Sequence, residues 1–271
     1  MPGMDLDFSE DELHRYSRHI LLGEVGAVGQ ARLRSASVLI IGAGGLGSPL
    51  LLYLAAAGVG RIGVIDDDVV ELSNLQRQIA HSTAHLGMAK TASAAAAARA
   101  LNPLVRIDEH RARLGPANAL ALFADYDIIC DGSDNFATRF LVADAAHLAN
   151  RTLVSAAVLR FEGQLAVFHP GGPCYRCLYP ESPPPGMAPS CSEAGVLGAV
   201  TGVMGTLQAT EVLKEILGLG ESLAGRLLLW DALAAQFRTI TLARDPDCAL
   251  CGATPRIHDL SGDYGGNICA G

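Results

Sequence analysis

Two cysteine pairs, Cys174-x-x-Cys177 and Cys248-x-x-Cys251, stand about 70 residues apart. Four thiolates at these spacings match a tetrahedral zinc site, and four sulfurs leave no position for substrate, so the expected role is a staple. Paired redox centres are the alternative, but neither pair opens a helix in a β-α-β setting. A second group is Gly42-Ala-Gly44-Gly45-Leu-Gly47, with Asp66 standing 24 residues after Gly42. Such a turn between strand and helix lets backbone N–H groups approach a phosphate, and the acid can bond ribose hydroxyls. NAD, FAD and ATP sites share that pattern. Asp66-Asp-Asp68, Ser73-Asn-Leu-Gln-Arg77-Gln78 and Gly87-Met-Ala-Lys90 come next. Arg77 and Lys90 suit a triphosphate, whose charge must be neutralised as pyrophosphate leaves. The bland readings are a surface salt bridge for Arg77 and a solvated helix start for Lys90, although a cation there opposes the helix dipole. In Asp131-Gly-Ser-Asp134-Asn135 a carboxylate at a strand end suits Mg²⁺; Asp131 fits a cap or turn equally well. His169 reads as a strand-end surface residue and Cys130 as core.

Elements must hold these groups in place. Residues 5–35 read as helical, with Ser9 and Glu12 at capping-box spacing. Ser37–Ile41 and Arg61–Asp66 read as strands around a helix over 45–57 that stops at Gly58, a parallel β-α-β unit. A helix over 90–101 follows, then strands at Val105–Asp108, Asp127–Cys130 and Leu153–Val158, with a helix from Asn135 to Ala149. Gln164–His169, Arg226–Trp230 and Phe237–Leu242 have hairpin-like spacing, so the sheet is expected to become mixed. Tyr179–Ser190 holds five prolines in twelve residues and reads as an exposed, mobile loop. Gly195–Gly218 reads as a buried helix. The fold class is α/β: a Rossmann-type, mostly parallel sheet continuing into antiparallel strands, with a structural zinc site made by four cysteines. The expected organisation is one domain over 1–252: a helical segment at 5–35, a nucleotide-binding part at 36–160, and a part at 161–252 that holds the zinc cysteines and a loop at 179–194. A tail follows at 253–271.

Composition limits the functions. The chain has 271 residues, 50% hydrophobic and 18% charged, and a formal net charge of −8. That charge argues against a general nucleic-acid binder. The acidic start lacks a signal-peptide pattern, and no apolar run is long enough to span a membrane, so a cytoplasmic protein is expected. Seven cysteines in a reducing compartment favour metal or catalysis over disulfides.

Taken together, RYSRHI (15–20), GAGGLGS (42–48), LSNLQRQ (72–78), GMAK (87–90), GSDN (132–135), CYRC (174–177) and CSEAG (191–195) resemble the ThiF/MoeB/HesA family, bacterial relatives of ubiquitin-activating enzymes. The likeness covers nearly all of the chain up to Cys251 and is greater to the molybdopterin-synthase adenylyltransferase branch than to the thiamine-pathway branch. It implies ATP-dependent adenylation of the C-terminal Gly-Gly carboxylate of a ubiquitin-like sulfur-carrier protein, with ATP, Mg²⁺ and Zn²⁺ as cofactors. It also implies that the 161–252 part binds the carrier, with 179–194 as its crossover loop. It implies a cofactor-binding set of Gly42, Gly44, Gly45, Gly47, Asp66, Asp68, Ser73, Asn74, Leu75, Gln76, Arg77, Lys90, Asp134 and Asn135. Arg18 matches an arginine that reaches the partner subunit's site in a homodimer. Cys191 matches a crossover-loop cysteine used in sulfur transfer by some members. The implied catalytic set is Arg18, Arg77, Lys90, Asp134 and Cys191, and the metal ligands are Cys174, Cys177, Cys248 and Cys251. The tail looks like the stub before a rhodanese domain in fused relatives. No such domain follows, so a separate sulfur donor, a cysteine desulfurase or rhodanese, is expected. The alternatives are an NAD-dependent oxidoreductase with a structural zinc, a non-catalytic partner subunit of an activating enzyme, or an adenylating enzyme for a peptide or an unusual carrier.

Overall fold

The structure is a computed structural model that describes residues 6–183, 195–262 and 264. Its first strand, β1 (Ser37–Ile41), sets the architecture. Val38 and Ile40 belong to one core cluster and Leu39 and Ile41 to another, all buried. A strand apolar on both faces needs a helical layer on each side. On one side lie α3 (Gly26–Ser35), α4 (Gly47–Ala57), α5 (Lys90–Leu101) and α9 (Gly198–Leu217). On the other lie α6 (Pro116–Ala124) and α7 (Phe136–Leu148).

The remaining strands are β2 (Arg61–Ile65), β3 (Arg106–His110), β4 (Ile128–Asp131), β5 (Thr152–Leu159), β6 (Glu162–Phe168), β7 (Arg226–Asp231) and β8 (Gln236–Thr241). They form one eight-stranded sheet in the order β3-β2-β1-β4-β5-β6-β7-β8. Pairing is parallel from β3 through β5 and antiparallel from β5 through β8. The expected change from parallel to mixed sheet falls at the β5–β6 hairpin. Because the strand order reverses between β1 and β4, the loops after those strands flank a crevice where open α/β sheets take ligands.

The N-terminal segment is three helices rather than one: α1 (Glu10–Arg15), α2 (Ser17–Ile20) and α3. The Ser9–Glu12 capping box is present. Tyr16 breaks the run because its ring is committed elsewhere, lying where a Cβ on Gly58 would sit, 2.6 Å away. Gly58 adopts φ +81° and ends α4, a left-handed cap that glycine takes without steric cost. A single turn, α8 (Tyr175–Leu178), begins from Cys174, so this C-x-x-C pair does open a short helix, though not between parallel strands. The described residues beyond 252 pack back on the domain: Leu260 is buried and the Tyr264 hydroxyl donates to Asp144 at 2.8 Å. Among the described residues no helix is long and apolar enough to cross a membrane.

Candidate nucleotide site and cysteine cluster

The glycine turn joins β1 to α4. Gly42 has φ +89°, and a Cβ there would lie 3.4 Å from the Gly132 carbonyl oxygen, so the loops after β1 and β4 run against each other. A Cβ on Gly47 would collide with the Gly42 carbonyl. The N–H groups of Gly44, Gly45, Leu46 and Gly47 find no acceptor among the described residues, which leaves the start of α4 with free donors and positive potential. The first turn of α9 brings in a third segment. Thr201 lies 3.1 Å from the Cβ position of Gly45, and a Cβ on Gly198 would meet the Gln76 carbonyl and the Cα of Arg77. Gln78 Nε2 is 3.7 Å from the Cβ position of Gly44. The glycine turn, the 72–78 segment and the 132–135 loop are therefore one neighbourhood.

Asp66 follows β2 and is half-buried. Its carboxylate accepts from the N–H of Ala43 at 2.8 Å and of Asp68 at 2.9 Å. Burial pushes this carboxyl above the usual carboxylate range, against the pull of Lys90 and the two N–H donors. A carboxylate has about four acceptor sites, so two stay open for ribose hydroxyls. Lys90 opens α5 with only 7% exposure, its Nζ 2.7 Å from the exposed Asp68 carboxylate. The cation at a helix start is thus balanced locally by Asp68. The carboxylates of Asp66, Asp67 and Asp68 also gather within 4.8 Å of one another.

Within the 72–78 segment, Asn74 is buried and its side chain accepts from the Glu71 N–H at 3.0 Å, so part of its role is to shape the turn. Ser73 and Gln76 are exposed, and Leu75 and Arg77 half-buried. Arg77 donates to the Ser73 carbonyl at 3.1 Å and pairs with no acid among the described residues, so the surface salt-bridge reading does not describe it there.

The two aspartates of the 131–135 segment separate. Asp131 is 1% exposed and accepts from the Ser133 N–H and hydroxyl at 2.9 and 2.6 Å and from the Ser155 hydroxyl at 3.1 Å. Burial raises its carboxyl, opposed by Arg139 and the two serines. It builds the loop. Asp134 is exposed, beside Asn135, which caps α7 by accepting from the Thr138 N–H at 2.8 Å.

The structure does not bring Arg18 to this site. Arg18 is exposed on α2 and pairs with no described residue. Its neighbours tie α2 to the far ends of α4 and α5: Tyr16 lies against Gly58, and Asn102 donates to the Tyr16 hydroxyl at 2.8 Å. His19 lies 3.1 Å from Gln30, which donates to the Ala57 carbonyl at 2.9 Å. The eleven residues of α4 separate those anchors from its own glycine turn, roughly 16 Å of helix. Cys191 lies outside the described residues, as do Cys269 and most of the 179–194 loop.

Of the five remaining cysteines, four converge. Sγ–Sγ distances are 3.9 Å for Cys174–Cys177, 3.5 Å for Cys174–Cys248 and 3.3 Å for Cys177–Cys251. All four sulfurs lie within 4.8 Å of one another. Tetrahedral zinc with bonds near 2.3 Å asks for about 3.8 Å between sulfurs, so the cluster can hold zinc. N–H groups of Asp245 and Cys251 point at the sulfurs of Cys177 and Cys248 at 3.4 and 3.5 Å. Burial pushes the Cys174 thiol well up, so its thiolate form needs a cation beside it. His169 is no part of the cluster; it pairs with Glu215 at 2.6 Å. Cys130 is fully buried core.

Reading the sequence missed His81, Ser93 and His85, which meet beneath the glycine turn. Ser93 lies one helical turn after Lys90, the one signal that could have pointed to it.

The comparisons agree with this architecture. The chain is 57% identical over 258 residues to bovine (Bos taurus) adenylyltransferase and sulfurtransferase MOCS3, covering 94% of this chain and 56% of that protein. It is 51% identical over 259 residues to the sulfur carrier protein adenylyltransferase of Thermus thermophilus, covering 93% of this chain and 96% of that protein. It spans little more than half the length of the bovine and pig MOCS3 proteins. Among solved structures, Escherichia coli MccB superposes with a TM-score of 0.79 at 24% identity, over 94% of this chain and 76% of that one, a likeness of fold. The ThiF family description matches residues 16–250, so the chain belongs to the ThiF family.

Proposed function

We propose that this chain uses ATP to adenylate the C-terminal Gly-Gly carboxylate of a ubiquitin-like sulfur-carrier protein, releasing pyrophosphate and preparing the carrier for thiocarboxylation. The observation that carries this reading is the glycine turn, whose N–H groups at Gly44–Gly47 have no acceptor among the described residues, set in a neighbourhood that also holds Asp66, Arg77 and Lys90. The Thermus relative, named for this activity and matched over 96% of its length, supports it further.

The carrier carboxylate is already ionised, so the reaction needs positioning and charge stabilisation more than a base. A carboxylate oxygen attacks the α-phosphorus; that P–O bond forms as the α–β bridging bond breaks and pyrophosphate takes its electron pair. The N–H groups of the glycine turn hold the phosphates, and Asp66 accepts from the ribose. Asp68 holds the Lys90 ammonium ready, and Arg77 needs only to leave a carbonyl acceptor to meet developing charge. The exposed Asp134 is the residue to hold Mg²⁺, which supplies further neutralisation of phosphate charge. Arg18 acts in the site of a second copy, because its own glycine turn lies a helix length away. Zinc on Cys174, Cys177, Cys248 and Cys251 is structural. Cys191 acts after adenylation, in the transfer of sulfur to the carrier, and a separate protein supplies that sulfur.

The test is to incubate the protein with ATP, Mg²⁺ and a carrier ending in Gly-Gly, then weigh the carrier. A carrier heavier by one adenylyl group supports the reading; an unchanged mass with a demonstrably folded carrier opposes it. An NAD-dependent activity would favour the oxidoreductase alternative, which leaves Arg77 and Lys90 without a task.

A further inference from the structure

His81 has 8% exposure and sits three residues past Gln78, in a segment where a histidine looks unremarkable from sequence. Its Nε2 is 2.9 Å from the carbonyl oxygen of Ala43, the second residue of the glycine turn. A carbonyl only accepts, so Nε2 carries the proton. Its Nδ1 is 2.9 Å from Ser93 Oγ, and His85 Nδ1 is 2.8 Å from the same oxygen. Ser93 is fully buried and has a single proton to give. With His81 neutral, the directions follow: His85 donates to Ser93, Ser93 to His81 and His81 to Ala43. Burial, helped by Lys90 and His85, outweighs the hydrogen bond to Ala43 and the charge of Asp66, lowering the His81 pKa and so favouring that neutral form.

Both backbone groups of Ala43 are therefore held from within the protein, its N–H by Asp66 at 2.8 Å and its carbonyl by His81. Across a trans peptide the carbonyl and the next N–H point in opposite directions. Holding the Ala43 carbonyl inward aims the Gly44 N–H outward, and that N–H has no acceptor among the described residues. Ser93 lies on α5 one turn after Lys90, so the same chain fixes the glycine turn relative to the helix that bears the lysine. We infer that His81 is a positioning residue for the nucleotide, locking the Ala43–Gly44 peptide so that its N–H faces the phosphates and keeping that donor in register with Lys90. This rests on the nucleotide reading above.

Amide isosteres separate the two contacts of His81, since Gln Nε2 reaches about as far as His Nε2 and Asn Nδ2 about as far as His Nδ1. His81→Asn keeps reach to Ser93 and loses the donor to Ala43. His81→Gln keeps that donor. The experiment measures the ATP·Mg dissociation constant by calorimetry, kcat and KM for ATP, and melting temperature. His81→Asn should weaken ATP·Mg binding roughly tenfold, the scale of one oriented hydrogen bond, and raise KM more than it lowers kcat. His81→Gln should restore affinity to within about threefold of wild type. Should His81→Asn fail to fold, Ser93→Ala, a small-for-small change, should by itself weaken binding about threefold. His81→Asn binding as tightly as wild type would overturn the inference. So would His81→Gln binding as weakly as His81→Asn with an equal fall in melting temperature, which marks packing alone, or an unaltered Ser93→Ala. Wild-type protein that binds no ATP·Mg would instead overturn the nucleotide reading on which the inference stands.

Discussion

Stripping the proposed zinc from the four-cysteine cluster should cost the fold far more than any chemical step. Each sulfur–sulfur contact across the cluster, Cys174 to Cys248 and Cys177 to Cys251, bridges 74 positions. Closing a flexible loop of that length costs about (3/2)RT ln n, or about 4 kcal/mol, which the metal removes from the unfolded chain. Among the described residues the apolar cluster formed by these cysteines adds Leu250, with Ile257 packed against it, a small core to hold the knuckles together alone. For a domain of this size 1 kcal/mol shifts the melting temperature by about 2–4 °C, so depletion should lower it by roughly 8–16 °C. Calorimetry on zinc-loaded protein, chelator-treated protein and Cys248→Ser, with zinc measured by elemental analysis, makes the comparison. A depleted protein melting within about 2 °C of the loaded one would refute the staple.

Other outcomes follow from the same geometry. Asp134→Ala should abolish ATP–pyrophosphate exchange while leaving the melting temperature almost unchanged, because Asp134 is exposed and only its neighbour Asn135 caps α7; full exchange would remove it from the mechanism. Inactive Arg18→Ala and Asp134→Ala subunits, once mixed and exchanged, should recover about a quarter of the activity, as an isologous dimer with composite sites requires; no recovery would exclude action in trans. Asp108 is a structural counterpart. Burial raises its carboxyl, but hydrogen bonds from Arg61 at 2.6 Å and Arg106 at 2.8 Å outweigh that and hold it below the usual value. Its contribution is present above the unfolded-chain pKa and is lost as pH falls through the lowered folded value. Asp108→Asn should therefore destabilise at neutral pH and flatten the acid limb of melting temperature against pH.

Much of this was legible in the sequence, where one local rule dominated. Ser37–Ile41 is a β-branched run ending at glycine, and Lys90–Leu101 is rich in alanine; both elements appear with the expected bounds. The helix over Pro116–Ala124 was missed, being short and introduced by a Gly-Pro pair that reads as a turn. The break at Tyr16 was invisible because its cause, the space above Gly58, is tertiary. At the site, residue type and spacing pointed to Asp66, Lys90 and the glycines. They could not divide Asp131 from Asp134, since burial decides which carboxylate builds the loop and which faces solvent. His81 was beyond reach for the same reason: its meaning lies in the Ala43 carbonyl, 38 positions away.

The central claim is that the site activates a carrier carboxylate with ATP, and isotope exchange between pyrophosphate and ATP reports that step without any sulfur donor. The account predicts exchange that requires Mg²⁺ and a carrier with a free Gly-Gly terminus, and that disappears when those two glycines are removed. Exchange indifferent to the carrier, or none with a carrier shown to bind, would contradict it.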